Sequence, residues 1–185
     1  KFAKQNNAKI IYSGSSTRFA TYYGEEELSP YAWSKISNIN LLKNYSKWFD
    51  LKYAITYFYN VYGDGEISNG KYATVIAKFL KLKKSKKRIL PVSEPGTQKR
   101  NFTHIDDIVS GLEIVALKGL GDGFGIGSDK SYSIIDLAKM LKMKYKLIKS
   151  NRGNRINGVL KTKLTKKLGW KCKKNLANYI ASKDI

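Results

Sequence analysis

Ser15, Tyr31 and Lys35 are the residues of this sequence best suited to chemistry. Tyr31 and Lys35 stand four positions apart in the segment S-P-Y-A-W-S-K. If that segment is helical, both side chains share one face and the ammonium comes within reach of the phenol. A free phenol keeps its proton up to a pH of about 10, and a neighbouring cation favours the phenolate. Tyr31 is therefore a candidate general base near neutral pH, which an isolated tyrosine is not. Ser15, in the hydroxyl-rich stretch S-G-S-S-T, can hydrogen-bond the same substrate hydroxyl. Taken alone, Tyr-x-x-x-Lys is a common helical spacing and fits a purely structural pair equally well.

These residues need a strand, a loop and a helix to position them. Residues 8–12 (A-K-I-I-Y) predict a buried strand that runs into the hydroxyl loop at 13–17. Ser29 and Pro30 announce a helix over about 31–49, with serine at the N-cap and proline at the first helical position. Residues 53–59 (Y-A-I-T-Y-F-Y) predict a second strand, which stops at Asn60 before the turn signal Gly63-Asp64-Gly65. Further on, helices are expected over 72–82, 105–117 and 133–141, with strands at 88–92, 123–127 and 145–148. Asp106 and Asp107 read as helix-start residues, and Ser131 or Ser133 as a cap. Short helices at 164–168 and 176–180 flank Gly169-Trp170. Strands alternating with helices predict an α/β fold whose sheet is parallel in its first part.

Composition narrows the function classes. The 185 residues are 42% hydrophobic and 12% aromatic, enough for a real core and for one domain or slightly more. Cys172 is the only cysteine and His104 the only histidine, so no material exists for a disulfide framework, a zinc site or a Ser-His-Asp triad, and no metal is expected. His104 reads as support for the helix start beside Asp106 and Asp107. Lys171 and Lys173 flank Cys172 and are expected to make its thiol somewhat reactive. Trp33, Trp48 and Trp170 read as core or interface aromatics. No run approaches 18 apolar residues and residues 1–10 lack an apolar leader, so a cytoplasmic chain without membrane contact is expected.

Lysine and arginine number 35 against 14 acidic residues, a net charge of +21. The densest run, residues 81–88 (K-L-K-K-S-K-K-R), is expected to be a solvated helix end and loop, and nucleic acid is not the expected partner. A basic, non-catalytic module that meets polyanions through its lysines is the competing reading. Gly121, Gly123, Gly125 and Gly127 recur at every second position, which is not the G-x-G-x-x-G of a dinucleotide turn and predicts a glycine-rich strand.

Four ordered motifs, I-I-Y-S-G-S-S-T, S-P-Y-A-W-S-K, Y-F-Y-N-V-Y-G and R-N-F-T-H-I-D-D-I, resemble the extended short-chain dehydrogenase/reductase family. Within it the chain is most similar to the NAD-dependent sugar-nucleotide epimerases of the UDP-glucose 4-epimerase type. The resemblance implies NAD as cofactor and a nucleotide sugar, UDP-linked, as substrate, epimerised through a transient 4-keto form. It implies that Tyr31 takes the proton of the sugar hydroxyl, that Lys35 holds the nicotinamide ribose, and that Ser15 orients the hydroxyl with Thr17 close by. Tyr59 matches a position beside the nicotinamide, Asn60 one that contacts the nucleotide sugar, and Arg100 an arginine on the diphosphate. Arg152, beside Gly153-Asn154, is a further candidate diphosphate ligand. The family usually forms homodimers through an interface that includes the Tyr-Lys helix, and the state of this chain stays open.

Departures from the family pattern carry their own implications. Tyr57 stands where the motif R-x-x-N-V-Y-G has arginine, and Ala20 where the first motif closes on glycine. Arg18-Phe19 replaces the acidic pair that the family's dehydratases carry after the loop threonine, which favours an epimerase over a 4,6-dehydratase. The Gly-rich turn of a dinucleotide-binding fold is absent from the opening of the sequence. The expectation is therefore a C-terminal part of a Rossmann-like doubly wound parallel sheet, plus a smaller mixed α/β substrate-binding region. Such a chain would lack its N-terminal NAD-binding half and be inactive alone. Residues 1–65 are assigned to the Rossmann-like part with the Ser/Tyr-Lys site. Residues 66–185 are assigned mostly to the substrate-binding region, with some segments returning to the sheet.

Overall fold

Residues 1–19, 29–70, 72–85, 89–149 and 158–183 are described by the structure, a computed structural model. The elements follow in chain order as α1 (Phe2–Gln5), β1 (Ile10–Ser15), a 3-10 turn (Ser16–Phe19), α2 (Pro30–Phe49), β2 (Tyr53–Phe58) and β3 (Val61–Tyr62). Next come α3 (Val75–Lys84), β4 (Ile89–Ser93), β5 (Lys99–Asn101), β6 (Thr103–His104) and α4 (Ile105–Lys118). The chain then forms β7 (Gly121–Ile126), β8 (Ser131–Ser133), α5 (Ile134–Met140), β9 (Lys144–Ile148), α6 (Lys163–Lys167) and α7 (Leu176–Ser182).

The principal sheet is parallel, in the order β1-β2-β7, with Ile10 opposite Tyr53 and Ser15 opposite Phe58. Its central strand is the near-continuous apolar run expected of a parallel strand covered on both faces. Ala54, Ile55, Thr56 and Tyr57 of β2 are all fully buried. Alternate side chains go to opposite faces. Ile55 and Tyr57 pack with Ile39 of α2, while Ala54 packs with Val115 of α4 and Phe124. Helix α2 starts where its sequence predicts: the Ser29 side chain accepts from the Ala32 amide at 3.2 Å, and Pro30 fills the first turn, where its missing N–H costs nothing. Ser133 caps α5 in a reciprocal capping box with Asp136.

A second core gathers Ile76 and Phe79 of α3, Leu90 and Val92 of β4, Leu137 and Leu141 around α5, and Leu176 and Ile180 of α7. Three two-stranded sheets serve this half: β3-β6 and β4-β9, both parallel, and β5-β8, antiparallel. The expectation of a mere C-terminal remnant of a doubly wound sheet is corrected here. A parallel Rossmann-like sheet with mixed sheets beside it occupies the N-terminal and middle regions, built around a strand with helices over both faces. Inference from a missing Gly-rich turn failed because a turn signature reports a phosphate contact, whereas a sheet is held by its register and buried faces.

The alternating glycines have a packing role. A Cβ on Gly125 would stand 2.0 Å from the carbonyl oxygen of Lys161, so only glycine admits the backbone of residues 159–161 against β7. Near the start of β7, Gly121 and Gly123 take φ values of 85° and 107°, and pairing with β2 shifts register there. Asp122 lies in that irregularity.

The tail is stapled to α4 by one buried carboxylate. Asp107, 3% exposed, accepts from the amides of Lys173 (3.0 Å) and Lys174 (2.9 Å) and from the Cys172 thiol (3.2 Å). The Trp170 indole donates to the Asp107 carbonyl at 2.9 Å and is itself buried, whereas Trp33 and Trp48 are exposed on α2. His104 caps α4, its Nδ1 accepting from the Asp106 amide at 3.2 Å. Burial, and then the hydrogen bond and charge of Asp107, push the Cys172 thiol up to about 11. The expected activation by flanking lysines is therefore reversed, because Asp107 is the charge the thiol meets. Among the described residues no helix is long and apolar enough to cross a membrane.

Gly125→Ala should cost about 3 kcal/mol in urea denaturation, because the obstacle is backbone and cannot rotate away. Cys172 should alkylate roughly tenfold or more slowly than free cysteine at pH 8, and Asp107→Asn should speed it while lowering stability by about 2 kcal/mol.

Candidate active site

β1 delivers Ser15 to the C-terminal edge of the parallel sheet, the edge at which open α/β sheets receive ligands. The following 3-10 turn folds Thr17 back, so that its hydroxyl (2.8 Å) and amide (3.3 Å) both donate to Ser15 Oγ. A hydroxyl that already accepts twice is set to act toward a ligand as a donor.

α2 brings the other two groups to the same end. Lys35 Nζ donates to the Ser13 carbonyl at 2.9 Å, which fixes the start of the helix against the end of β1. That ammonium lies 5.2 Å from the Tyr12 ring centroid and 6.0 Å from that of Tyr31, so the expected Tyr-Lys adjacency is present. Tyr31 is 58% exposed, in the first turn of α2. Ser15, Thr17, Tyr31 and Lys35 thus gather around one strand end. One Lys35 N–H is engaged by Ser13, and an ammonium carries two further donors.

The other candidate residues are placed as follows. Tyr59 is buried, with its hydroxyl donating to the Val159 carbonyl and accepting from the Lys161 amide, both at 3.0 Å. Asn60 adopts φ 38° and donates from Nδ2 to the Asn101 carbonyl at 3.2 Å. Its own carbonyl accepts from the Thr103 amide at 3.2 Å. Arg100 lies on β5 opposite Tyr132 of β8, with Nη1 donating to the Lys99 carbonyl at 3.0 Å. Arg152 lies outside the described residues, as do Ala20 and residues 86–88 of the basic run.

One group bonded to the turn that follows Ser15 escaped sequence reasoning. Asp122 accepts from Tyr57 Oη (2.6 Å), Arg18 Nη1 (3.0 Å) and Lys43 Nζ (2.5 Å). Arg18 Nη1 also donates to Tyr57 Oη at 2.7 Å. The guanidinium expected on β2 from the family motif is replaced by Tyr57, and a guanidinium reaches the same place from the 3-10 turn. Burial works against the Asp122 charge, but hydrogen bonds from Lys43 and Tyr57 and the charges of Arg18 and Lys43 outweigh it and hold the carboxyl below the usual range. Burial, then Asp122, push the Tyr57 phenol up. The sequence signal was slight: an acid between glycines in G-D-G, at the start of a strand.

Because its folded pKa lies below the unfolded value of about 4, Asp122 stabilises the fold above that pH and loses the contribution as acid is added through the folded value. Thermal unfolding followed from pH 6 to pH 2 should therefore show a shallower acid decline in Asp122→Asn than in the wild type.

A model of the NAD dependent epimerase/dehydratase family matches residues 1–127. The dTDP-D-glucose 4,6-dehydratase of Dictyostelium discoideum is 34% identical over 114 residues, 61% of this chain and 25% of that protein. A putative UDP-glucose 4-epimerase of Methanocaldococcus jannaschii is 29% identical over 147 residues, 72% of this chain and 46% of that protein. A solved structure, the UDP-N-acetylglucosamine 4-epimerase of Methanobrevibacter ruminantium in complex with UDP-N-acetylmuramic acid, superposes with a TM-score of 0.84 at 22% identity. It covers 96% of this chain and 62% of that one, a likeness that shows the fold. The chain spans less than half the length of the curated relatives it matches. The expectation of a chain lacking its N-terminal Rossmann-like half is overturned by the family match, which runs from residue 1 to residue 127 across the parallel sheet.

Proposed function

The chain belongs to the NAD dependent epimerase/dehydratase family, and on that premise we propose that it serves the NAD-dependent epimerisation of a UDP-linked nucleotide sugar at C4. The observation that carries the reading is the Lys35 ammonium, held on the Ser13 carbonyl beside the Tyr31 ring, at the strand end where Thr17 braces Ser15. In this reading Ser15, Tyr31 and Lys35 are the catalytic residues. Residues 1–65 carry them, and residues 66–185 mostly shape the sugar-nucleotide pocket.

Tyr31, as phenolate, takes the proton of the sugar C4 hydroxyl and later returns it. Lys35 keeps that phenolate charge-balanced and offers its remaining N–H groups to the nicotinamide ribose. Ser15 donates to the reacting oxygen and fixes its direction, and Thr17 keeps the Ser15 hydroxyl aimed. NAD, when bound, supplies a reversible hydride acceptor, so the sugar passes through a 4-keto form and inverts when the hydride returns to its other face. Asn60 contacts the nucleotide sugar, Arg100 and Arg152 bind the diphosphate, and Tyr59 lies beside the cofactor.

Arg18 favours epimerisation over dehydration. It follows Thr17 directly, where dehydratases carry an acidic pair, and its guanidinium is engaged by Asp122 and Tyr57. A cation there cannot take the proton that elimination of water requires.

Tyr31→Phe should reduce interconversion of UDP-glucose and UDP-galactose by roughly a hundredfold or more, with UDP-sugar affinity by calorimetry unchanged within threefold. Equal turnover in the variant would remove Tyr31 from the mechanism.

A further inference from the structure

Three positions on one face of α2 fix that helix on the sheet. Lys35 bonds the Ser13 carbonyl, Ile39 is fully buried in the core with Tyr57, and Lys43 reaches the Asp122 carboxylate. The 3-10 turn is held at the same carboxylate by Arg18, the residue after Thr17. The turn carries the hydroxyl machinery and α2 carries the Tyr-Lys pair, so the two halves of the site meet at one anion some distance from the reacting groups.

We infer that Asp122 is a positioning residue, which sets the Ser15–Thr17 turn against the Tyr31–Lys35 helix by drawing Arg18 and Lys43 to a single carboxylate. This rests on the proposed epimerase reading for its kinetic consequence, and on geometry alone for its structural one. Asp122 itself is placed by the positive-φ glycines on either side and by its bond from Tyr57. Arg18 and Lys43 are both about 31% exposed at the side chain, so solvent screens their mutual repulsion only in part. While Asp122 is ionised the two cations are held together. Once its charge is gone they repel, and the turn and the helix keep only their apolar contact, Phe19 and Ile39 on Tyr57, without the charge that draws their cations together. A shift of this kind matters because misplacing catalytic groups by about 1 Å can cost about a hundredfold in rate.

The test is Asp122→Asn, which keeps the side-chain volume and an oxygen for Tyr57 but removes the charge. We expect kcat per folded molecule, with folding checked by circular dichroism, to fall at least tenfold while KM stays within threefold. Adding Lys43→Met to that variant should cost no more than a further twofold, because the tether that the lysine makes is already broken. A purely structural role would lower the folded fraction and leave kcat per folded molecule within twofold of the wild type, and that result would overturn the inference. If Asp122→Asn does not fold, Lys43→Met alone should lower kcat at least threefold, and an unchanged kcat overturns it. If the wild type itself shows no epimerisation, the epimerase reading fails and the positioning claim is decided by NMR. The amide resonances of Thr17 and Lys35 should then move together in Asp122→Asn and move little further in the double variant, whereas unmoved resonances would overturn it.

Discussion

A parallel strand buried on both faces, β2, is the constraint on which the rest of this molecule depends. Its neighbours β1 and β7 complete its backbone hydrogen bonds, and its two sets of side chains require helices above and below. α2 covers the Ile55 and Tyr57 face and α4 the Ala54 face. Each partner is thereby located in three dimensions by a hydrophobic contact, before any polar group is considered. The candidate site follows from this arrangement. Parallel in-register pairing sets the end of β1 level with the end of β2, and α2, pressed down by Ile39, presents its first turns at that end.

Charge is used sparingly inside a chain that has much of one sign. With 14 acidic residues against 35 basic ones, self-repulsion favours expansion and is relieved by salt. Asp107 and Asp122 are placed where each joins several segments at once. Asp107 collects backbone amides of the tail, and Asp122 collects a guanidinium, an ammonium and a phenol. Both sites satisfy the physical condition for a carboxylate withdrawn from water, namely several donors per anion. They differ in consequence. The first closes the fold against α4, whereas the second reaches both the turn and the helix that bear the candidate site.

Glycine marks the closest approaches in the same region. At Gly125 the absence of a side chain lets residues 159–161 lie against β7, where the Tyr59 hydroxyl clasps them from just past the end of β2. The cation of Lys161 then lies 4.5 Å from the ring centroid of Phe19, in the turn that follows Ser15. A segment far along the chain is in this way brought to the edge of the candidate site by a glycine and a phenol. Tyr59 has its hydroxyl committed to that clasp.

Local signals in the sequence determined a good deal. The strand over β2, the helix start at Ser29-Pro30, α4 with its acidic first turn and the capped α5 all lie within a few residues of where periodicity and cap chemistry predict them. The Tyr31–Lys35 pair was legible for the same reason, since a four-residue spacing on a helix needs no knowledge of the fold. Strands of two or three residues, β3, β5, β6 and β8, carry too few side chains to show a period and exist only because distant partners pair with them. The flanking lysines of Cys172 mislead about its thiol, because burial and then Asp107, on α4, push it up, and neither is visible in the local sequence. Asp122 was passed over as part of a glycine strand for the same physical reason. A carboxylate's role is set by the donors that surround it, and those of Asp122 arrive from residues 18, 43 and 57, which only the tertiary fold brings together.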